Sequence, residues 1–151
     1  MLDDIDRRLL RQLQAAPDLP TKELADLANI SAASCWRRIE KLHERGVLLG
    51  RRAIINWRAL GYEVEVSLRI TLDKTQTQAF DEFLATAREI PEVIEIQTFL
   101  GQVDVRLSVL ARDMGHYQTI YRSKILTLPH IADIEALMQV AEIKSAQGLP
   151  I

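Results

Sequence analysis

Residues Ser31–Gly46, SAASCWRRIEKLHERG, decide the fold of the first part of this chain. Ser31 is a good N-cap, because a hydroxyl there can accept from a first-turn N–H, and Gly46 stands where a left-handed residue ends a helix. Between them Cys35, Ile39 and Leu42 recur at the i, i+4, i+7 spacing of one inward face. Ala33 and Arg37 therefore point away from the core, with Ser34, Arg38, Lys41 and Arg45 along one flank. Trp36 falls beside the core and reads as a packing residue.

Upstream, Leu2, Ile5, Leu9, Leu10 and Leu13 predict a first helix, with Asp3, Asp4 and Asp6 where the helix dipole favours negative charge. The run AAPDLP ends it. A second helix follows in TKELADLA, residues 21–28, with Pro20 near its first turn and a stripe of Leu24, Leu27 and Ala28. Asn29–Ser31 is a tight connection. Three short helices with such a turn describe a helix-turn-helix, whose last helix enters the major groove of double-stranded DNA by its N-terminal end. Ser31, Ala33 and Ser34 form that leading end, where small side chains let the backbone come close. Arg37 and Arg38 can reach guanine edges or phosphates, and Lys41 suits phosphates. Downstream, VLLGRRAIINWRALGY (residues 47–62) leans toward β structure and places Arg51 and Arg52 behind Gly50. It reads as a wing or hinge strand adding phosphate contacts, followed by a linker.

Charge agrees with an anionic partner at one end of the molecule. The 151-residue chain has a net charge of −2, but residues 1–60 carry eleven Lys/Arg against eight Asp/Glu, and residues 61–151 eight against thirteen. Between Ser31 and Arg58, seven basic residues face only Glu40 and Glu44. With 48% hydrophobic and 26% charged residues the composition is that of a soluble globular protein. No run of about 18 apolar residues and no basic leader followed by an apolar core predicts a membrane span or a signal peptide, so the expected location is the cytoplasm. Cys35 alone forms no intrachain disulfide, and with His43, His116 and His130 it gives no metal-ligand spacing. Neither a metal nor a cofactor is expected.

From Glu63 the period changes to strict alternation: Val64, Val66, Leu68, Ile70 and Leu72 predict a half-buried strand. A helix over 76–89 follows, then strands in PEVIEIQTFLG and QVDVRLSVLA with Gly101 between them. Asp113 caps a second helix, Pro129 stops it, and IADIEALMQVAEI supplies the last strand. The order βαββαβ is the ferredoxin-like arrangement, a four-stranded antiparallel sheet with both helices on one face. Its open face, with apolar side chains on both sides of the strand around Val105 and Leu107, predicts pairing with a second copy. The expected fold is α+β: an N-terminal winged helix-turn-helix over residues 1–60 and a βαββαβ effector and oligomerisation domain over 61–151.

LDDIDRRLLRQLQ, KELADLANIS, CWRRIEKLHERGVL and GQVDVRLSVLARDM, in this order, resemble the leucine-responsive regulator (Lrp)/AsnC family of transcription factors over nearly the whole chain. The resemblance implies a homodimer, dimers assembling into a higher oligomer such as an octamer, and a small-molecule effector, usually an amino acid, bound between dimers near the glycine turn. It places that effector at Gly101, Gln102, Val103 and Asp104, with Leu137, Met138 and Gln139 contributed by the same or a neighbouring subunit. A glycine turn presents N–H groups to a carboxylate, and Asp104 can accept from an ammonium. Where the family commonly has an acidic residue after the glycine and an aromatic after the aspartate, this chain has Gln102, Val103 and Val105. The CW pair and the closing LPI resemble a branch that includes cysteine-responsive regulators.

The expected function is thus sequence-specific transcriptional regulation modulated by a metabolite, not catalysis. Two other readings stand beside it. One is a subunit resembling siroheme decarboxylase, which asks for His116 and His130 around a tetrapyrrole. The other is a partner that binds no DNA and modulates another family member.

Overall fold

The computed structural model describes residues 1–144 and 148–151. Helix α1 spans Asp4–Ala15 and starts from a reciprocal cap: the Asp6 N–H donates to the Asp3 carboxylate at 2.8 Å and the Asp3 N–H to the Asp6 carboxylate at 3.3 Å. Helix α2 spans Thr21–Ala28. Asn29, in the left-handed region at φ 58°, turns the chain out of α2 while the Ile30 N–H donates back to the Ala25 carbonyl at 3.0 Å. Helix α3 spans Ala32–Glu44, with the Ser34 N–H donating to the Ser31 hydroxyl at 3.2 Å. Gly46 at φ 65° ends it, and the Val47 N–H reaches the Leu42 carbonyl at 2.9 Å. The tight helix-turn-helix connection is therefore made by one left-handed residue and one serine cap.

Leu9, Leu24, Ala28 and Cys35 form the fully buried centre of this unit, with Ile5, Ile30, Ile39 and Leu48 packed around it. Three expectations are corrected here. Leu27 is exposed because α2 buries Leu24, Ala25 and Ala28, one residue round from the expected stripe. Trp36 is 58% exposed. Burial on α3 is confined to Cys35 and Leu42, and a residue about 100° round a helix from that stripe stays in solvent. The expected strand at 47–56 is not formed either. A strand needs a hydrogen-bonded neighbour, no other described segment pairs with this one, and Leu49, Ile54 and Ile55 remain exposed. The expected linker contains a 3₁₀ turn, Trp57–Leu60, whose Arg58 N–H donates to the Asn56 side chain at 3.1 Å.

The sheet consists of β1 (Val64–Leu72), β2 (Val93–Thr98), β3 (Val105–Ala111) and β4 (Ile131–Met138), in the antiparallel order β2-β3-β1-β4. Helix α4 spans Ala79–Arg88, and α5, Met114–Ile120, continues into a single π turn at Tyr121–Ile125. Alternation decides the two faces. Val66, Leu68, Ile70, Val105, Leu107 and Val109 are buried with Phe83 and Ala87 of α4 and with Tyr117 and Ile120 of α5. Ser67, Arg69, Arg106 and Ser108 alternate onto the opposite face, where Arg106 pairs with Glu95 at 3.0 Å and Arg69 with Glu135 at 3.7 Å. That face is chiefly polar, with Leu110 as its apolar member on β3. The strand expected over 102–111 starts only at Val105, so Gln102, Val103 and Asp104 belong to the loop before it.

The chain divides into two compact units, Met1–Ile54 with Ile143–Ile151, and Ile55–Glu142. The expected boundary was residue 60, with the whole C-terminal segment in the second domain. The difference has local causes. The Glu63 N–H donates to the Ala111 carbonyl at 3.2 Å, which ties the chain just after the 3₁₀ turn to the sheet. The Arg11 guanidinium donates to the Ile151 carbonyl at 2.7 Å, and the Gln14 side chain exchanges hydrogen bonds with the backbone of Leu149, which ties the end of the sequence to α1.

Candidate DNA interface and effector turn

Helix α3 and its two caps present Ser31, Ala33, Arg37, Lys41 and Arg45 exposed and Ser34 half-buried. Arg37, Lys41 and Arg45 form no ion pair among the described residues, so their charges are available to a partner. Ser34, Arg37, Arg38, Lys41 and Arg45 line one cleft of about 450 Å³ with Met1, Asp3 and Asp6 of the α1 end. Arg38 differs from its neighbours. Its Nη1 lies 2.7 Å from Asp3 and 2.7 Å from Asp6, so it bridges α3 to the capped start of α1. The hydrogen bonds to Asp3 and Asp6 push the guanidinium further toward its charged form. The Asp6 N–H, followed by Arg38, holds the Asp3 carboxyl below the usual aspartate range. Arg51 and Arg52 lie elsewhere. They are exposed and border a hollow of about 840 Å³ formed with Leu10, Leu13, Val47 and Leu149, and neither belongs to the α3 cleft.

At the other candidate site, Phe99–Asp104 joins β2 to β3. The Phe99 N–H donates to the Asp104 carbonyl at 2.9 Å, the Asp104 N–H to the Ile70 carbonyl at 3.0 Å, and the Thr71 hydroxyl to the Gln102 carbonyl at 3.0 Å. Among the described residues, the N–H groups of Leu100, Gly101, Gln102 and Val103 have no acceptor. Asp104 is only 4% exposed, and both of its oxygens are engaged: Oδ2 accepts from the Leu72 N–H at 2.9 Å and Oδ1 from the Lys74 ammonium at 2.8 Å. A ligand's amino group would thus meet a carboxylate already paired. Gly101 and Asp104 border a hollow of about 460 Å³ with Lys74, Phe80, Thr98, Phe99 and Leu100. The sequence reading missed Lys74 and Phe80. The signal was present in the βαββαβ order, because in an antiparallel pair the loop leaving β1 and the loop entering β3 meet at one end of the sheet.

Leu137, Met138 and Gln139 are not brought to this turn within one chain. Leu137 stands opposite Ser67, four residues along β1 from Thr71, or about 13 Å at a strand's usual rise. Met138 is the last residue of β4, and Gln139 follows it with its N–H on the Glu65 carbonyl at 3.1 Å. On β4, the residue registered beside the turn is Asp133, opposite Thr71.

Asp104 gives the turn a pH signature. Burial alone would raise its carboxyl, but the Lys74 ammonium and the Leu72 N–H outweigh burial and hold it below the ordinary value of 3.8. A carboxyl depressed in the fold stabilises it above the unfolded value, and that contribution is lost as pH falls through the folded value. Asp104→Asn is therefore expected to be less stable than the parent at pH 7, with the difference shrinking as pH is lowered below about 4. Asp104→Ala leaves the Leu72 N–H unmet and is expected to cost about 1–3 kcal/mol at pH 7. Urea unfolding of the three proteins between pH 3 and pH 7 checks both statements, and a pH-independent difference would contradict them.

The sequence model of the Lrp/AsnC ligand binding domain matches residues 65–149, and that of a winged helix-turn-helix DNA-binding domain matches residues 2–48. The chain is 34% identical over 132 residues to the proline dehydrogenase transcriptional activator of Rhodobacter capsulatus, covering 87% of this chain and 86% of that protein. It is 30% identical over 145 residues to the leucine-responsive regulatory protein of Rhizobium meliloti (strain 1021), covering 96% and 93%. Among solved structures, an AsnC family transcriptional regulator from Agrobacterium tumefaciens superimposes with a TM-score of 0.89 at 31% identity, covering 99% of this chain and 97% of that one. A helix-turn-helix unit followed by a four-stranded antiparallel sheet with its helices is the architecture these two matches span, and the chain belongs to the Lrp/AsnC family of DNA-binding transcriptional regulators.

Proposed function

We propose that this protein is a sequence-specific regulator that reads double-stranded DNA with α3 and responds to an amino acid bound at the Phe99–Asp104 turn. One observation carries the DNA reading: Arg37, Lys41 and Arg45 are exposed and unpaired along the outer side of a Ser31-capped helix. Arg37 is placed for a base edge, Lys41 and Arg45 for phosphates, and Ser31, Ala33 and Ser34 for close backbone approach. Arg51 and Arg52 add phosphate contacts beside the helix-turn-helix.

At the turn, the free N–H groups of residues 100–103 and the exposed Lys74 ammonium suit an α-carboxylate, while Phe80, Phe99 and Leu100 suit an apolar side chain. Relatives named as a leucine-responsive protein and a proline dehydrogenase activator favour an amino acid. Leu137, Met138 and Gln139 reach this site from a neighbouring subunit, in a homodimer whose higher assembly, such as an octamer, shifts with the effector. The protein works in the cytoplasm; among the described residues no helix is long and apolar enough to cross a membrane. The tetrapyrrole reading is disfavoured because each histidine it needs is engaged locally. His116 Nδ1 accepts from the Arg112 N–H at 3.1 Å, and His130 Nε2 lies 2.5 Å from Glu82.

The test is selection of duplexes from a random-sequence pool by the purified protein, then binding of the winner at several salt concentrations with a panel of amino acids. One sequence class is expected to emerge, its affinity falling linearly in log–log with salt and shifting with one amino acid. If no sequence is enriched at any salt concentration, the DNA reading fails. If none of the amino acids moves affinity or assembly size, the effector reading fails.

A further inference from the structure

The Asp3–Asp6–Arg38 cluster sits at the edge of the basic cleft but obeys different electrostatics. Asp3 caps α1 and Asp6 closes the same capping box, so both carboxylates are held in place by the first turn of α1. Asp6 is 8% exposed and cannot exchange its partner for water without cost. Arg38, on the flank of α3 that faces α1, bridges both acids through one nitrogen, at 2.7 Å each. Among the described residues no other cation pairs with either acid. One guanidinium between two carboxylates leaves a surplus negative charge, and a phosphate approaching Arg38 meets that surplus. Arg37 and Lys41, one residue before and three after, carry no such burden.

We propose that Arg38 is a positioning residue: it locks the recognition helix onto the capped end of α1, and contact with DNA falls to Arg37, Lys41 and Arg45. This rests on the reading of α3 as the helix that meets DNA. Without the bridge, α3 is free to roll about its long axis, and a roll that barely disturbs Cys35 and Leu42 moves the tips of long basic side chains off the groove.

The sharpest test is Asp6→Asn. It removes a negative charge near the DNA-facing helix, so by charge alone it would tighten binding. Positioning gives the opposite sign. Asp6→Asn and Arg38→Gln are each expected to weaken binding of a duplex selected by the parent protein by about tenfold, the size of one lost charge-assisted hydrogen bond. The slope of log affinity against log salt is expected to stay at the parent value, and Arg38→Lys, which keeps the charge and can still pair, to recover part of the loss. Tighter binding by Asp6→Asn would overturn the proposal, as would a slope shallower by about 0.9 in Arg38→Gln, the mark of one lost phosphate contact. A thermal-unfolding cycle on Asp6→Asn, Arg38→Gln and the double variant provides a readout without DNA. Non-additive effects support the bridge, and additive effects overturn it. If the parent selects no duplex, the DNA reading fails alone, and the unfolding cycle still decides the bridge.

Discussion

Arg37→Glu is expected to abolish sequence-specific DNA binding while leaving the fold intact. Arg37 is exposed on the outer side of α3 and has no ion-pair partner among the described residues. An exposed substitution of this kind changes stability by no more than about 0.5 kcal/mol. On DNA the balance is different. A good contact from one recognition helix to a base edge is worth about 1–3 kcal/mol, and in the homodimer proposed above it would be made twice. Placing a carboxylate there adds repulsion from the phosphates on either side of the groove. Losing the contact twice costs about 2–6 kcal/mol, so Arg37→Ala is expected to weaken binding by about thirtyfold or more and Arg37→Glu, with the added repulsion, by about a hundredfold or more. Fluorescence anisotropy with a selected duplex checks the affinity, and circular dichroism with sedimentation checks that fold and assembly are unchanged. Parent-like binding by Arg37→Glu would mean that the wrong face of α3 has been assigned, and Arg51 and Arg52 would become the next residues to change.

The largest effect on stability is expected from Phe83→Ala. Phe83 is the largest fully buried side chain, projecting from α4 among the inward residues of β1 and β3. Truncating a buried phenylalanine costs about 3–5 kcal/mol, because the transfer energy is lost and the neighbours collapse only partly into the space. Phe83→Leu, which keeps most of the volume, is expected to cost less than about 1.5 kcal/mol. Phe80, one turn earlier on α4, borders the Phe99–Asp104 turn, so loosening α4 also loosens that turn. Urea unfolding is informative here because Trp57 belongs to the sheet unit and Trp36 to the helical unit. A cost for Phe83→Ala below about 1 kcal/mol would show that the core closes without this ring, contrary to its packing.

Most of the fold was legible because the signals are local. A serine cap, an i, i+4, i+7 stripe and a closing glycine are read within the sixteen residues from Ser31 to Gly46, and α3 runs between the two ends. Strict alternation from Val64 to Leu72 fixed which side of β1 is buried, and the order βαββαβ fixed the sheet topology. The failures came where a residue's surroundings lie far along the chain. Trp36 reads as a core neighbour until α1 and α2 are seen to cover only the Cys35 and Leu42 stripe. The segment at 47–56 has the composition of a strand, but composition does not supply a pairing partner.

What the sequence alone determined was therefore the kind of element at each place, the helix-turn-helix and the basic character of its outer face. Backbone conformation and the facing of side chains depend on neighbours a few residues away. Only the tertiary structure decided which charges remain free. Arg37 and Arg38 are adjacent and chemically identical, but α1 brings Asp3 and Asp6 to one and leaves the other in solvent. Asp104 likewise reads as a ligand for an ammonium until the end of β1 and the turn after it deliver the Leu72 N–H and Lys74 to its two oxygens. An ion pair is made or lost within a few ångströms, and such distances between residues about thirty positions apart are set by packing.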